Sequence, residues 1–182
     1  MDQSSATSQT SFISVSELKL MFESQAAYQL FDCSFMVGLK EGFMGNRIPN
    51  AKFMEVSKFK DSEGPFANTF PNKENMRDWM TRSGCDKKDL VILYSQTPKD
   101  FGPFRVSYVL KSYGFPQVFI LNGGLVAWKE SGGEIVEGRD YDDSMFTPAE
   151  VEREDYKVVD FAELKSKIGS HGVKVIDFRS SD

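Results

Sequence analysis

The stretch VFILNGGLVAW, residues 118–128, is the most informative part of the sequence. It begins with apolar residues typical of a buried strand, passes through Gly123 and Gly124, and continues in an apolar helical pattern. Glycine has no Cβ, so it permits both a tight turn and a close approach of the helix to the strand. We therefore expect a crossover from strand to helix in which Trp128 packs its ring back onto a sheet.

Strand and helix patterns alternate along the chain before this stretch. Apolar strands are predicted at residues 28–31, 90–94 and 117–121, with a shorter one after the turn in residues 48–54. Apolar stripes at helical spacing predict three helices, marked by Leu18, Met21 and Phe22, by Met76, Trp79 and Met80, and by Val106, Val109, Leu110 and Tyr113. Gly84 and Gly114 are expected to end the second and the third. This alternation indicates the α/β class, with a mostly parallel central sheet and helices on both faces.

Composition divides the chain into four segments. Residues 1–11 are polar and contain no Lys or Arg, which predicts a disordered tail, and residues 12–135 carry the alternating pattern of one domain. Residues 136–157 are acidic and lack periodicity, which is typical of an interdomain linker. Residues 158–182 have the pattern of a second domain that is cut off soon after its start.

The last segment repeats the beginning of the first domain. Both copies place a helix-capping residue three positions before a Glu, as Ser14 and Glu17 in FISVSELK and as Asp160 and Glu163 in VVDFAELK. Each copy then reaches an apolar strand ending in Asp, at Asp32 and at Asp177. We interpret this match as a tandem repeat, although two ordinary helix starts can resemble one another. The second strand, residues 173–178, would be an exposed edge unless a partner covers it.

Overall composition excludes several function classes. Hydrophobic residues make up 40% and charged residues 27%, which is ordinary for a soluble globular protein. No apolar run approaches the roughly 20 residues that span a bilayer. The net charge of −5 argues against nucleic acid or an anionic membrane as partner. The N-terminus has neither a signal peptide nor a clear presequence, so a cytoplasmic or mitochondrial location is expected.

The cysteine and histidine counts exclude further chemistry. Cys33 and Cys85 cannot form a disulfide framework or a four-ligand zinc site, and each is expected to be a small buried hydrophobe. His171 is the single histidine and lies in the turn-like sequence SHG. A Ser-His-Asp triad and an ordinary zinc hydrolase site are therefore not expected. We predict neither a metal nor a cofactor.

The chain resembles the rhodanese family along residues 12–130. The Leu-x-Gly-Gly-x-x-x-Trp element ending at Trp128 is similar to one in that family, and Leu30-Phe31-Asp32 matches its first core strand. GNRIPNA, residues 45–51, stands where the family has Gly-His-Ile-Pro-Gly-Ala, with Arg47 in place of the His and Asn50 in place of the second Gly. Residues 104–124 are similar to the first domain of two-domain thiosulfate/3-mercaptopyruvate sulfurtransferases, and the truncated repeat resembles the start of their second domain. The resemblance implies a rhodanese-like fold.

The resemblance also implies where the nucleophile of an active domain would lie. There the central strand ends in a cysteine whose thiolate, held by inward N–H groups, carries sulfur as a persulfide. Here the strand ends at Ser95, whose hydroxyl is no substitute for a thiolate, and the loop that follows is longer and contains Pro98 and Pro103, which lack an N–H. Cys33 and Cys85 fall elsewhere in the sequence. We interpret Ser95 as a degenerate nucleophile position and the domain as catalytically degenerate.

Two cations flank this loop. Lys99 and Arg105 are possible anion contacts, and the alternative for both is a solvated surface charge or a structural ion pair. Arg105 also matches the Pro-Arg-Val element of the family, where a structural role is plausible. Arg179 resembles the Asp-x-Arg of the family's second domain.

Two hypotheses for function remain open. In the first, the chain is the non-catalytic portion of a sulfurtransferase and supports a persulfide-forming second rhodanese domain, on the same or a separate chain. In the second, it is a degenerate structural or interaction subunit of a larger protein assembly. A cysteine phosphatase of related fold is disfavoured, because that chemistry needs Cys and Arg in one loop.

Overall fold

A computed structural model describes residues 11–35, 39–64, 66, 68–138 and 159–177, and the side chains of residues 39–41 are not part of the description. The strands are β1 Ser11–Ile13, β2 Gln29–Asp32, β3 Lys52–Phe53, β4 Val91–Tyr94 and β5 Val118–Leu121. The α-helices are α1 Val15–Glu23, α2 Leu39–Gly45, α3 Lys73–Ser83, α4 Gly102–Ser112, α5 Gly124–Glu130 and α6 Phe161–Lys167. A 3₁₀ turn covers Val56–Lys58.

The five strands form one parallel sheet in the order β1-β5-β4-β2-β3. Strand β4 is central, and all four of its residues are buried. Because the strands are parallel, their carboxyl ends meet at one edge of the sheet, where Cys33, Ser95 and Asn122 follow β2, β4 and β5. This topology confirms the predicted α/β class and places Ser95 in the middle of that edge.

Helices cover both faces of the sheet, as expected from the alternating pattern. Side chains alternate along a strand, so Val91 and Leu93 belong to one apolar cluster with residues of α3 and α4, while Ile92 belongs to the other. The second cluster contains residues of α1, α2 and α5, including Trp128. Trp128 is 3% exposed, which confirms that its ring packs back onto the sheet.

The residues predicted to cap α1, α6 and α3 lie at the ends of these helices. Ser14 and Glu17 form a complete capping box at the start of α1, and the Asp160 carboxylate accepts from the Glu163 N–H at the start of α6. Gly84 ends α3 with φ 65°, in the left-handed region. Within the described ranges, no helix combines the length and apolar character required to cross a membrane.

Three features differ from the sequence prediction or add to it. Strand β1 begins at Ser11, inside the segment predicted to be a disordered tail, and α2 has no counterpart among the predicted helices. The strand predicted at residues 173–178 is wrong for the described part, residues 173–177, which has no strand structure and exposes Ile176 by 66%. A strand needs a neighbour to pair with and an apolar face to bury, and the described chain supplies neither to these residues.

Part of the predicted linker lies against the domain. Arg47 and Val136 form an antiparallel bridge, and the Arg47 Nε donates to the Gly138 carbonyl at 2.6 Å. The rest of the linker, residues 139–157, lies outside the described residues, as do residues 1–10 of the predicted tail and Arg179.

Candidate functional site

Ser95 lies at the carboxyl end of β4, at the start of the loop that leads to α4. The residue is 7% exposed, and its hydroxyl donates to the Thr97 carbonyl at 2.9 Å. Its own carbonyl accepts from the Leu125 N–H at 3.0 Å, in the first turn of α5. The hydroxyl is thus part of a local turn, and Ser95 directly follows the central strand.

The N–H groups of this loop are bonded to the chain itself. The amides of Gln96, Asp100 and Gly102 each donate to a nearby oxygen of the protein. Their acceptors are Ser34 Oγ at 2.8 Å, the Thr97 carbonyl at 3.3 Å and Asp100 Oδ1 at 2.8 Å. Pro98 and Pro103 have no N–H at all. A ring of inward N–H groups, which an anionic sulfur requires, therefore does not form from these five residues.

Asp32 ties the loops after β2 and β4 together. Its Oδ1 accepts from the amide and the hydroxyl of Ser34, at 3.0 and 2.6 Å, and its Oδ2 accepts from Gln96 Nε2 at 2.5 Å. Gln96 Nε2 also donates to the Asn46 carbonyl, just after α2. Burial raises the pKa of Asp32 above its ordinary value, and the nearby charge of Asp100 adds to the increase.

Asp100 joins the loop after β2 to the start of α4. This carboxylate is 3% exposed, and it accepts from the amides of Phe35 and Gly102, both at 2.8 Å. Gly102 is required here, because a Cβ at this position would lie 1.7 Å from the Cys33 carbonyl oxygen. The close approach of α4 to the loop after β2 thus depends on a residue without a side chain.

Both cysteines are buried, and the Cys33 backbone lies beside Gly102, at the end of the loop after β4. The Cys33 sulfur lies 3.8 Å from the Phe31 carbonyl and from the Met54 sulfur. Burial is the main cause that raises the pKa of both thiols, and the charges of Asp32 and Asp100 raise that of Cys33 further. Both thiols are therefore protonated at neutral pH, as expected for small buried hydrophobes rather than sulfur carriers.

A cavity of about 200 Å³ opens beside Ser95. Its lining residues come from β1, from the loop and first turn of α4, and from the end of β5 with the turn that follows. They are Phe12, Ser95, Pro98, Asp100, Pro103, Phe104, Ile120, Leu121, Asn122, Gly123 and Gly124. Gly124 has φ 56°, and a Cβ there would lie 2.6 Å from the Ser95 carbonyl oxygen, so the predicted close approach of helix to strand is confirmed.

The structure places neither of the two predicted anion contacts in this lining. Arg105 donates through Nη2 to the carbonyls of Phe59 and Asn68, at 3.4 and 3.3 Å, and so holds the loop before α3. Lys99 is exposed. Their role as anion contacts stays a prediction. Sequence reasoning did not identify Gln96 and Asp100 as organising residues of this edge, because their partners are distant in sequence.

The sequence relatives are sulfurtransferases. Thiosulfate sulfurtransferase TUM1 of Saccharomyces cerevisiae is 32% identical over 76 residues, which are 42% of this chain and 25% of that protein. Human 3-mercaptopyruvate sulfurtransferase is 22% identical over 161 residues, 84% of this chain and 53% of its own length. The chain therefore spans about half, or less, of the length of these curated relatives.

The solved structures show the same fold. SseA from Escherichia coli aligns with a TM-score of 0.82 at 20% identity, covering 94% of this chain and 66% of that one. Tum1 from Saccharomyces cerevisiae aligns with a TM-score of 0.71 at 21% identity, covering 88% and 56%. The family model described as "Rhodanese-like domain" matches residues 14–131. With more than half of its length matched, the chain belongs to the rhodanese family.

Proposed function

We propose that this chain is the non-catalytic N-terminal portion of a two-domain thiosulfate/3-mercaptopyruvate sulfurtransferase, and that it supports a persulfide-forming domain. The observation that carries this proposal is the chemistry at the end of β4. Sulfur transfer needs a thiolate held by inward N–H groups. This chain has a hydroxyl there, on Ser95, and the amides of Gln96, Asp100 and Gly102 are bonded internally.

The length of the relatives supports a second domain. The chain aligns with 53% of the human relative, and α6, like α1, begins with a cap side chain that accepts from the N–H of a Glu three positions on. None of the residues in α6 is buried. An amphipathic element that buries nothing lacks the packing that stabilises helices in proteins, and a following domain would supply it.

Exposed aromatic rings at the carboxyl edge of the sheet support a contact with such a domain. Phe101 is 81% exposed, Phe35 50% and Phe104 46%. Phe35 lies in the loop after β2, where its N–H donates to Asp100. Phe101 directly precedes α4, and Phe104 lies in the first turn of that helix. Large exposed apolar side chains near one edge can mark an interaction site, so this edge is the surface we expect to face the persulfide-forming domain.

A sulfur-transfer assay tests the proposal. The chain of residues 1–182 is incubated with thiosulfate and cyanide, and thiocyanate is measured. We expect no turnover above the protein-free blank, and none in the Ser95→Cys variant, because the amides of Gln96, Asp100 and Gly102 are already bonded within the chain and two prolines of the loop have no N–H. Full-length thiosulfate sulfurtransferase of Gallus gallus is the positive control.

Thiocyanate formed by the unaltered chain would contradict the proposal. In that case the variant Cys33→Ser/Cys85→Ser identifies whether either thiol carries the sulfur. The transcript downstream of Asp182 provides a second test. A continuation that encodes a cysteine-bearing loop supports the proposal, whereas a stop codon favours the alternative of a structural subunit in a larger assembly.

A further inference from the structure

A larger cavity lies at the edge of the sheet opposite to Ser95. Its volume of about 640 Å³ falls within the roughly 300–1,000 Å³ of ordinary small-molecule pockets. Its lining includes Tyr28, Leu90 and Gln117, the residues that directly precede β2, β4 and β5, and the end of α1 with the turn that follows. Ser95 follows β4, whereas Leu90 precedes it, so this cavity is separate from the site described above.

Two lining residues have a backbone conformation that favours glycine. Gln25 has φ 53° and Asn50 φ 62°, and within the described ranges they are the only residues other than glycine with a positive φ. Gln25 follows the end of α1, where glycine is common. Asn50 stands where the family element Gly-His-Ile-Pro-Gly-Ala has its second glycine. Such backbone strain clusters at functional sites, and here it brings two side-chain amides to one cavity.

The cavity is rich in hydrogen-bonding groups that the chain leaves unused. In the part of the chain that the structure describes, the backbone N–H groups of Tyr28, Leu90 and Gln117 have no acceptor. The side-chain amides of Gln25 and Gln117 make no hydrogen bond to those residues either. A backbone N–H that is removed from water needs an acceptor, which ligand oxygens can supply. A side-chain amide both donates and accepts, so it matches an amide group of a ligand.

The charge that remains available in this cavity is positive. Lys88 is exposed, and its ammonium forms no salt bridge with a described residue. The acidic lining residue, Asp89, is engaged by the protein, because its Oδ2 accepts from the Asp86 N–H at 2.8 Å and from Gln29 Nε2 at 3.4 Å. The charge of Asp89 also interacts with that of the Lys52 ammonium. Lys88 therefore favours an anionic group on the ligand.

Apolar side chains complete the lining. Met21, Phe22 and Leu90 are partly buried and pack against the core cluster that contains Trp128. A cation, free amides and an apolar surface in one cavity match a carboxylate, an amide and an apolar side chain in one molecule. We propose that this cavity binds the carboxylate end of an N-acylated amino acid with an apolar side chain, with the carboxylate at Lys88.

Chemical-shift titrations of the ¹⁵N-labelled chain of residues 1–182 test this ligand class. The probes are N-acetyl-L-leucine, its neutral counterpart N-acetyl-L-leucinamide, and 4-methylpentanoate, which lacks the acylamino group, all at constant ionic strength. We expect saturable shifts of the amides in residues 25–29, 88–90 and 117 with N-acetyl-L-leucine. Loss of the carboxylate should weaken binding at least about tenfold, since charge-assisted hydrogen bonds are lost. Loss of the acylamino group should weaken it about fivefold.

Variants then assign the binding to the cavity. Lys88→Gln should weaken binding of N-acetyl-L-leucine about fivefold, whereas the matched control Lys58→Gln, which removes the same charge from an exposed position outside the lining, should not change it. Gln25→Gly removes an amide from a position that glycine tolerates better. It should weaken binding about threefold without lowering the midpoint of thermal unfolding, which a purely structural role of Gln25 would not produce.

The proposal is overturned if N-acetyl-L-leucine gives no saturable shift, if N-acetyl-L-leucinamide binds as tightly, or if Lys88→Gln has no more effect than Lys58→Gln. The peptide Ala-Ala-Ala-Leu distinguishes the source of the ligand. Binding tighter than that of N-acetyl-L-leucine indicates the C-terminus of a polypeptide, and equal or weaker binding indicates a small N-acylated amino acid. These results are independent of the sulfur-transfer assay, which depends on the nucleophile position at the other edge of the sheet.

Discussion

Asp32 is an acid that the fold keeps away from water. Its burial raises the pKa above the ordinary value, despite hydrogen bonds from Ser34 and Gln96 that lower it. The native state therefore binds a proton more tightly than the unfolded state, so the free energy of unfolding falls as pH rises from the unfolded pKa of about 4. We predict that Asp32→Asn abolishes this decrease, measured by urea unfolding at a series of pH values.

The comparison of slopes separates titration from a constant structural effect. Asn at position 32 does not titrate, so the slope disappears, whereas a purely structural effect of the substitution would shift the whole curve and leave its slope unchanged. Asp78→Asn is the control, because Asp78 is exposed and pairs with Arg82 on the same helix. An identical pH dependence for the unaltered chain and Asp32→Asn would show that Asp32 does not titrate in this range.

Sequence reasoning located the central residue of this site but not its surroundings. Ser95 was identifiable because it follows a buried strand, and the resemblance to the rhodanese family predicts the nucleophile position there. The bond between Asp32 and Gln96 joins residues 64 positions apart, and no local pattern encodes such a pair. Asp100 was hidden for the same reason, since its partner Phe35 is 65 positions away.

The capping residues of α1 and α6 allow the loss of a helix cap to be compared between a helix that packs on the sheet and one that buries none of its residues. Ser14→Ala removes the hydroxyl that accepts from the Glu17 N–H, and α1 is packed through the fully buried Leu18. We predict a loss of about 1 kcal/mol in the free energy of unfolding. Asp160→Ala should change it by less than about 0.5 kcal/mol, because α6 buries none of its residues.

Urea unfolding followed by the fluorescence of Trp79 and Trp128 measures both effects. Both tryptophans belong to or pack against the core clusters of the sheet. Equal losses for the two variants would mean that α6 contributes to the stability of the sheet domain. No loss for Ser14→Ala would mean that the capping box is replaced by water in the variant.

Elements with a clear apolar period were predictable, and those without one were not. The stripes of α1, α3 and α4 and the apolar strands β2, β4 and β5 are visible in the sequence because burial imposes their period. Helix α2 contains Gly42 and Gly45, which lower helix propensity, and it buries Phe43 in the core. Strand β1 has three residues, which is too few for a period to be recognised.

At the scale of the whole molecule, the described residues form a parallel sheet with both faces covered, followed by a segment that covers nothing. The alternation of elements was sufficient to predict the sheet, because parallel strands must be buried on both faces. The repeat in the sequence correctly predicted the start of α6. It did not yield a strand at residues 173–177, since a strand depends on neighbours that its own sequence does not provide.

Hydrogen exchange can show whether that segment is the first strand of a domain. Val173, Val175 and Ile176 are 41%, 59% and 66% exposed. In the chain of residues 1–182 we predict that the amides of residues 174–177 exchange at nearly unprotected rates, while those of β4 exchange slowly. In a polypeptide extended to the length of the relatives, the same amides should be protected at least about 1,000-fold, because core strands open only with a large part of the global unfolding free energy. Rapid exchange in both polypeptides would mean that these apolar residues belong to no sheet, and the case for a second domain would then rest on the length of the relatives alone.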